Sequence, residues 1–261
     1  MATVSGGNCD SGYFDINTEN TSSRSGSKPL TSQKIGYFRE YASKLGSDFS
    51  ILDYHYYVLQ MLYLVEYADY DSQTKLGKGV TNSNGGAILG ETDELGMKSG
   101  ILINDGAHSM IYRGIEDIYG NTADFLDGIN IRNYQAYINY DFTTYESDVF
   151  DGNYKALGYV NANDYGFITK LGYDSNNPLI GLPTGVDATN TEESNPTGIK
   201  DEYVATTGDK ILKVGGAFDV SNSAGLWFSD AVSESGAAGY DVGSRLIRHQ
   251  TSTGREVQLN K

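Results

Sequence analysis

The hydrophobic pattern changes at Leu76, and this change most limits what the chain can fold into. Before it, two stretches carry helical spacing. Ile35, Phe38, Tyr41, Ala42 and Leu45 recur at three- and four-residue intervals, with Thr31 and Ser32 as N-caps and Gly46 as the stop. Asp53 can cap a second helix. There Val58, Met61, Leu62 and Val65 mark one face, while Leu59, Tyr63 and Leu64 make the helix apolar nearly all round, as in a buried helix. After Leu76, short apolar pieces alternate with glycine-containing turns: Ala87–Leu89, Ile101–Ile103, Ile129–Ile131, Tyr165–Thr169, Lys210–Val214 and Arg245–Ile247. Residues 174–208, with Pro178, Pro183 and Pro196, read as a long polar loop. Two early helices followed by short strands and long loops predict an α+β fold with a small antiparallel sheet.

Composition narrows the function classes. The formal net charge is −15, which repels a phosphate backbone, so nucleic acid is not expected as a partner. The most apolar run, Tyr54 to Ala68, is broken by Gln60 and Glu66 and is shorter than the ~20 residues that span a bilayer, so membrane insertion is not expected. Met1 to Asn20 is polar and acidic, without the pattern of a secretory signal. Residues 1–30 read as an arm or linker, residues 31–249 as the domain and residues 250–261 as a tail. Cys9 is the only cysteine, which excludes an intrachain disulfide and a cysteine metal cluster. Twenty-one tyrosines against one tryptophan suit either strand packing or a binding surface, since tyrosine gives large contact area with few rotatable bonds.

Familiar catalytic patterns are missing. His55, His108 and His249 show no metal-ligand spacing, and no Gly-x-Ser-x-Gly elbow or phosphate loop occurs. Gly85-Gly86 is a turn. Asp93/Glu94 and Glu192/Glu193 are adjacent carboxylates of the kind an acidic chain contains by chance, and His55 reads as a first-turn helix residue. No catalytic residue and no metal ligand is assigned.

Two segments say more. In Tyr112 to Ile131, glycines punctuate charged and apolar residues at close intervals, giving a tightly turned, partly buried stretch in which Arg113 and Glu116 can pair. Gly114, Gly120, Asn121 and Asp127 have the types that hold sharp turns. Asn121, Asp124 and Asp127 also offer oxygen ligands for a structural calcium ion; turn capping is the preferred reading, and no cofactor is expected. In the second segment, Val214 to Leu246, the small residues Ser229 to Gly239 lie between two apolar anchors without helical or strand periodicity. A loop of this kind suits a surface tolerant of change. One of Trp227 and Phe228 is expected inside and the other outside, because neighbours on a strand point to opposite faces.

These segments resemble phage-associated proteins of the C-type-lectin fold. "YRGIEDIYGNTADFLDGINI" is similar to the family's "RGIE-x-x-x-GN-x-W-x-W-x-DG" element, and "GGAF…SAGLWF…VGSRL" to its closing "GG-x-W…AGLF…IG-x-R" element. "LQMLYLVEYADYDSQTKLGKG" and "GFITKLGYD" resemble two further segments, so the likeness spans roughly residues 31–249 in the family's order. Related members include formylglycine-generating enzyme and the variable proteins of diversity-generating retroelements. The chain departs from the pattern where Ala123, Phe125 and Phe218 replace the family's tryptophans. The catalytic cysteine pair of the oxidase and the Glu-Pro-Asn or Gln-Pro-Asp sugar-binding triplet are both missing.

The resemblance implies a C-type-lectin-like fold and a variable region at about 215–245. In retroelement-diversified relatives, asparagine codons are changed at adenines. The matching positions are Ala217, Asp219, Val220, Asn222, Ser229, Asp230, Val232, Ser233, Ala237, Gly239 and Asp241, and every residue type there is reachable in that way. With Trp227, Phe228 and Tyr240 as aromatic anchors, these residues are expected to bind a ligand. The implied function is that of a receptor- or ligand-binding protein, at the tail tip of a phage virion or on a bacterial surface. Its partner would be a host-surface protein or glycan, and association of its own copies into a trimer is compatible with the resemblance. The alternatives are an oxidase of the formylglycine-generating type and a structural virion protein without a ligand.

Overall fold

The computed structural model describes residues 25–249, apart from 192, 193 and 196, together with the backbone of Thr3–Val4 (β1) and Thr21–Ser22 (β2), which pair antiparallel. Cys9, Glu192, Glu193, Pro196, most of the expected arm and the tail lie outside the described residues. The chain is α+β, as its two early helices and later short strands predict.

Helix α1 spans Ile35–Leu45 and buries Ile35, Phe38, Tyr41 and Ala42 as their spacing requires, while Leu45 is exposed. Its cap is Lys34 rather than Thr31 or Ser32. Ser32 instead takes a left-handed conformation (φ 59°) and donates its N–H to Gly239 O at 2.8 Å, tying the approach to α1 to the C-terminal loop. Phe38 packs at 5.9 Å from Phe125, beside Leu30, Ile51, Ile211 and Val242.

Helix α2, His55–Tyr67, turns the opposite way from the one its aliphatic residues predict. Tyr56, Tyr57, Gln60 and Tyr63 are buried, whereas Met61, Leu62 and Val65 are exposed, Val65 by 84%. The tyrosine face buries more ring area, and Gln60 and Tyr63 find partners for their polar atoms, although the buried Tyr56 and Tyr57 hydroxyls have no hydrogen-bond partner among the described residues. Tyr63 stands edge-on to Trp227 at 5.5 Å, and its hydroxyl donates to Asp71 O at 3.0 Å. Gln60 donates to Leu226 O at 2.5 Å. Asp53 does serve the helix start, accepting from the His55 N–H at 3.1 Å. A short helix, α3 (Ser72–Leu76), follows, and Asp71 caps it.

Phe49–Ile51 (β3) lies between α1 and α2. Gly100–Ile101 (β4), Met110–Tyr112 (β5) and Ile115–Glu116 (β6) form a small antiparallel sheet. Ala87–Leu89 is not a strand, and Leu102 and Ile103 lie exposed beyond β4. The main sheet is larger than expected, with nine strands. In chain order they are Ala123–Arg132 (β7), Gln135–Ile138 (β8), Lys155–Ala156 (β9), Tyr165–Leu171 (β10), Pro183–Asp187 (β11), Glu202–Ala205 (β12), Asp209–Gly215 (β13), Gly225–Ala231 (β14) and Val242–Gly243 (β15). The spatial order is β11-β10-β12-β14-β13-β7-β8-β9, with β15 beside β7. The sheet is mixed, since β12–β14 and β15–β7 pair parallel. Leu246–Arg248 (β16) pairs antiparallel with β3 and brings the end of the domain to its start.

Three expectations fail inside this sheet. The polar stretch 174–208 contributes β11 and β12, held in part by Asn195, which donates to Ile168 O at 2.8 Å and Ile199 O at 2.6 Å. Trp227 and Phe228 are both buried, because β14 lies between β12 and β13 and both of its faces are covered. Ser229 to Ala231, read as loop, complete that strand.

Asp201 sits against β14, wholly buried, and accepts from the Trp227 N–H at 2.7 Å. Burial pushes its carboxyl up to about 8 against this bond and a second from the Phe228 N–H. The folded chain therefore holds this proton more tightly than the unfolded chain, whose aspartates titrate near ~3.9. The stability linked to it is full below that unfolded value and is lost as pH rises toward about 8. Urea unfolding at about pH 5 and about pH 8.5 should show wild type losing stability relative to Asp201→Asn at the higher pH. A constant difference between the two proteins would contradict this assignment.

Candidate functional site

The residues expected to bind ligand fall into two groups at opposite ends of β14. The first follows the Gly215-Gly216 turn between β13 and β14. Asp219 and Asn222 are exposed and Val220 is half-buried, while Ala217 is buried. Backbone bonds fix this loop to the scaffold: Ser83 N–H donates to Phe218 O at 2.8 Å and Ser221 N–H to Thr81 O at 2.6 Å. Gln73 adds bonds to Ser221 O (3.0 Å) and Ala224 O (2.7 Å). Tyr240 joins the group from the other side of the chain, 68% exposed, its ring 5.9 Å from that of Phe218. The half-buried Gly239 and Asp241 flank it, and Asp241 O accepts from Ala123 N–H at 2.9 Å.

The second group lies along and beyond the C-terminal end of β14, about 20 Å away at roughly 3.3 Å per strand residue. Ser229 is buried, and Asp230 is half-buried in an ion pair with Lys213 at 2.9 Å. Val232 is exposed, Ser233 O accepts from Ile211 N–H at 3.0 Å, and Ala237 lies half-buried on the returning chain. Trp227, an expected anchor, is buried between the sheet and α2, with Tyr63 and Tyr70 edge-on to it. Ala217, Trp227 and Ser229 therefore offer no surface, and the rest do not form one patch.

The first group stands on the turned segment before β7. Gly120 there has φ 73°, and a Cβ on it would meet Val80 O at 2.7 Å, so only glycine fits. Asn121 follows at φ 61°, fully buried, and donates to Asp117 at 2.8 Å. Arg245 locks the segment to the chain's closing motif. Its Nε donates to Asp124 at 2.5 Å, its Nη1 to Glu116 O at 2.7 Å and its Nη2 to Asp117 O. Arg113 does not pair with Glu116. A left-handed backbone (φ 53°) takes it to Glu66 on α2, while Glu116 accepts from Gly90 N–H at 2.7 Å and Thr92 N–H at 2.9 Å.

The oxygen trio considered for calcium is dispersed. Asn121 faces Asp117, Asp124 faces Arg245, and Asp127 forms a two-pronged pair with Arg39 on α1 at 2.6 and 2.7 Å. Asp127 holds a bulge in β7 rather than a turn. The β7–β13 register slips between Ile211 and Leu212, and the Asp127 N–H turns out of the ladder to Leu52 O. Asp93 accepts from Ser25 Oγ at 2.6 Å.

A cavity of about 950 Å³ opens between the start of α2, the small sheet and β16, with Leu59, Ile111, Ile118, Tyr140, Phe142 and His249 among its lining. One wall carries a cluster that no local spacing announces. Asp53 and His55 begin α2, and the β16–β3 pairing delivers His249 from the far end of the chain. His55 Nδ1 lies 2.6 Å from Asp53 Oδ1, and His249 Nε2 lies 3.8 Å from Asp53 Oδ2 and 2.7 Å from Ser50 Oγ. Tyr145 donates to Asp53 at 3.1 Å, and Phe142 stacks flat on His249 at 3.7 Å. The bond to Asp53 raises the His55 pKa; burial lowers that of His249. His55 is the first residue of α2, as its place in the sequence predicts.

Comparison with family models and with curated proteins found no match. Among the described residues no helix is long and apolar enough to cross a membrane.

Proposed function

We propose that this chain is a ligand-binding protein on a C-type-lectin-like scaffold, of the variable-protein type that its motifs resemble. Its ligand would be a host-surface protein or glycan, met at a phage tail tip or a bacterial surface. The observation that carries the reading is the contrast within the 217–222 and 239–241 segments. Asp219, Asn222 and Tyr240 point to solvent, while the backbone beneath them is bonded to Thr81, Ser83, Gln73 and Ala123. A rigid base under replaceable side chains is what a diversified binding surface requires. The contact set narrows to Asp219, Val220, Asn222, Gly239, Tyr240 and Asp241, with Val232 on a second, separate surface. Catalysis of the formylglycine-generating type is not proposed, because the superfamily's oxidase acts through a cysteine pair and this chain has Cys9 alone.

The DNA beside the gene tests the class. A near-copy of the codons for residues 215–245 that differs at adenines, next to a reverse transcriptase gene, is expected; its absence from complete flanking sequence would count against diversification. Stability supplies a second check. Replacing Asp219, Asn222, Val232 and Tyr240 together with serine should leave Tm nearly unchanged, since surface substitutions cost within about 0.5 kcal/mol each. Asp230 is excluded from that set because its ion pair with Lys213 is largely buried. A collapse of Tm in the fourfold variant would show that these side chains hold the fold together.

A further inference from the structure

We propose that Asp53, His55 and His249 form a binding site for a divalent transition-metal ion of the zinc class, at the wall of the 950 Å³ cavity. Two imidazoles and a carboxylate are a donor set that zinc and similar ions take, with further positions left for water or a ligand. One ligand atom from each residue lies within 4.8 Å of the others. Around a tetrahedral ion with bonds near 2.0–2.1 Å, ligand atoms stand about 3.3 Å apart. His55 Nδ1 lies 2.6 Å from Asp53 Oδ1 and His249 Nε2 lies 3.8 Å from the other oxygen, Oδ2, so the side chains must shift to share one ion.

Two independent features single out this cluster. Asp53 is completely buried, and among the described residues its ion-pair partners are the two histidines; no lysine or arginine reaches it. A buried carboxylate without a fixed cation is costly, and such groups are paired or coordinate metals. The ligands are also held in place beforehand. Tyr145 binds the second Asp53 oxygen and Phe142 stacks on the His249 ring, while Ser50 Oγ holds His249 Nε2 itself and must release it to an ion bound there. Outer partners of this kind orient metal ligands. Both histidines line the cavity and Asp53 lies behind them, so an ion there keeps its open positions toward a space of the size that small-molecule sites occupy, roughly 300–1,000 Å³.

The test is titration of the tag-free full chain with zinc by calorimetry, and with cobalt by visible absorption, alongside melting curves. One ion per chain, tetrahedral cobalt bands and a raised Tm under zinc are expected. His55→Ala and His249→Ala should each weaken zinc at least about tenfold, the lower bound for losing even an outer partner. His108→Ala, whose ring pairs with Asp105 on the surface, should bind as wild type does. No heat and no Tm shift with wild-type protein under zinc excess overturns the proposal, whether or not the variants fold. Zinc binding that persists undiminished in both histidine variants overturns it too.

Discussion

Arg245→Met is expected to lower the stability of the protein by about 3–5 kcal/mol, the range for breaking a buried ion pair by removing one partner. Arg245 and Asp124 are 5% and 2% exposed, so little solvent screens what is lost. The other oxygen of Asp124 has no hydrogen-bond partner among the described residues, and its charge would be left buried and uncompensated. The carbonyls of Glu116 and Asp117 would lose their donors in the same step. For a domain of this size the drop in Tm should be roughly 6–20 °C. Asp124→Leu added to Arg245→Met should recover part of the loss, because the orphaned charge is then gone while the carbonyls still lack donors. Guanidinium unfolding of the two single variants and the double variant measures this; additive losses would rule out the pairing as the source.

Asn121→Leu should cost about 2–4 kcal/mol, from backbone strain and an unsatisfied buried partner together. Leucine at φ 61° is forced into a conformation that asparagine tolerates, and Asp117 loses the donor at 2.8 Å. Asn121→Gly separates the two contributions: glycine accepts the backbone but not the hydrogen bond, so it should fall between wild type and leucine. Val232→Leu, at an exposed position, is the neutral surface comparison; Ser229, expected at the surface, is buried on β14 and would not serve. Equal Tm values for wild type and Asn121→Leu would remove this turn from the load-carrying part of the fold.

The two segments singled out by their motifs, 112–131 and 214–246, meet in space through Arg245 and through the β15–β7 pairing. Sequence alone made them notable but matched the charges wrongly. Arg113 and Glu116 are close in the chain, yet the left-handed turn at Arg113 sends its side chain to α2, and a residue far along the chain supplies the arginine that binds this segment. The spacing of Ile35, Phe38, Tyr41 and Ala42 placed α1 and its buried face correctly, because a helix against a sheet buries whatever apolar stripe recurs at its own period. For α2 the same rule gave the wrong face. Nearly every position is apolar or aromatic, so periodicity carried no preference, and the buried face was set by ring packing against β14 together with the partners of Gln60 and Tyr63.

The sequence by itself determined the class of fold, the helix of clear period, five of the six short apolar strand segments in whole or part, and the surface placement of Asp219, Asn222 and Tyr240. Each of these follows from local chemistry: period, turn type and side-chain size. Only the tertiary structure decided which face of α2 is buried, that Trp227 and Phe228 are both inside, and that the candidate ligand residues separate into two groups. It alone brought His249 to Asp53 and His55, because the β16–β3 ladder joins the two ends of the domain. Pairings of that length leave no trace in spacing: the energy that selects them is burial and hydrogen bonding between segments, which exists only once the chain has closed on itself.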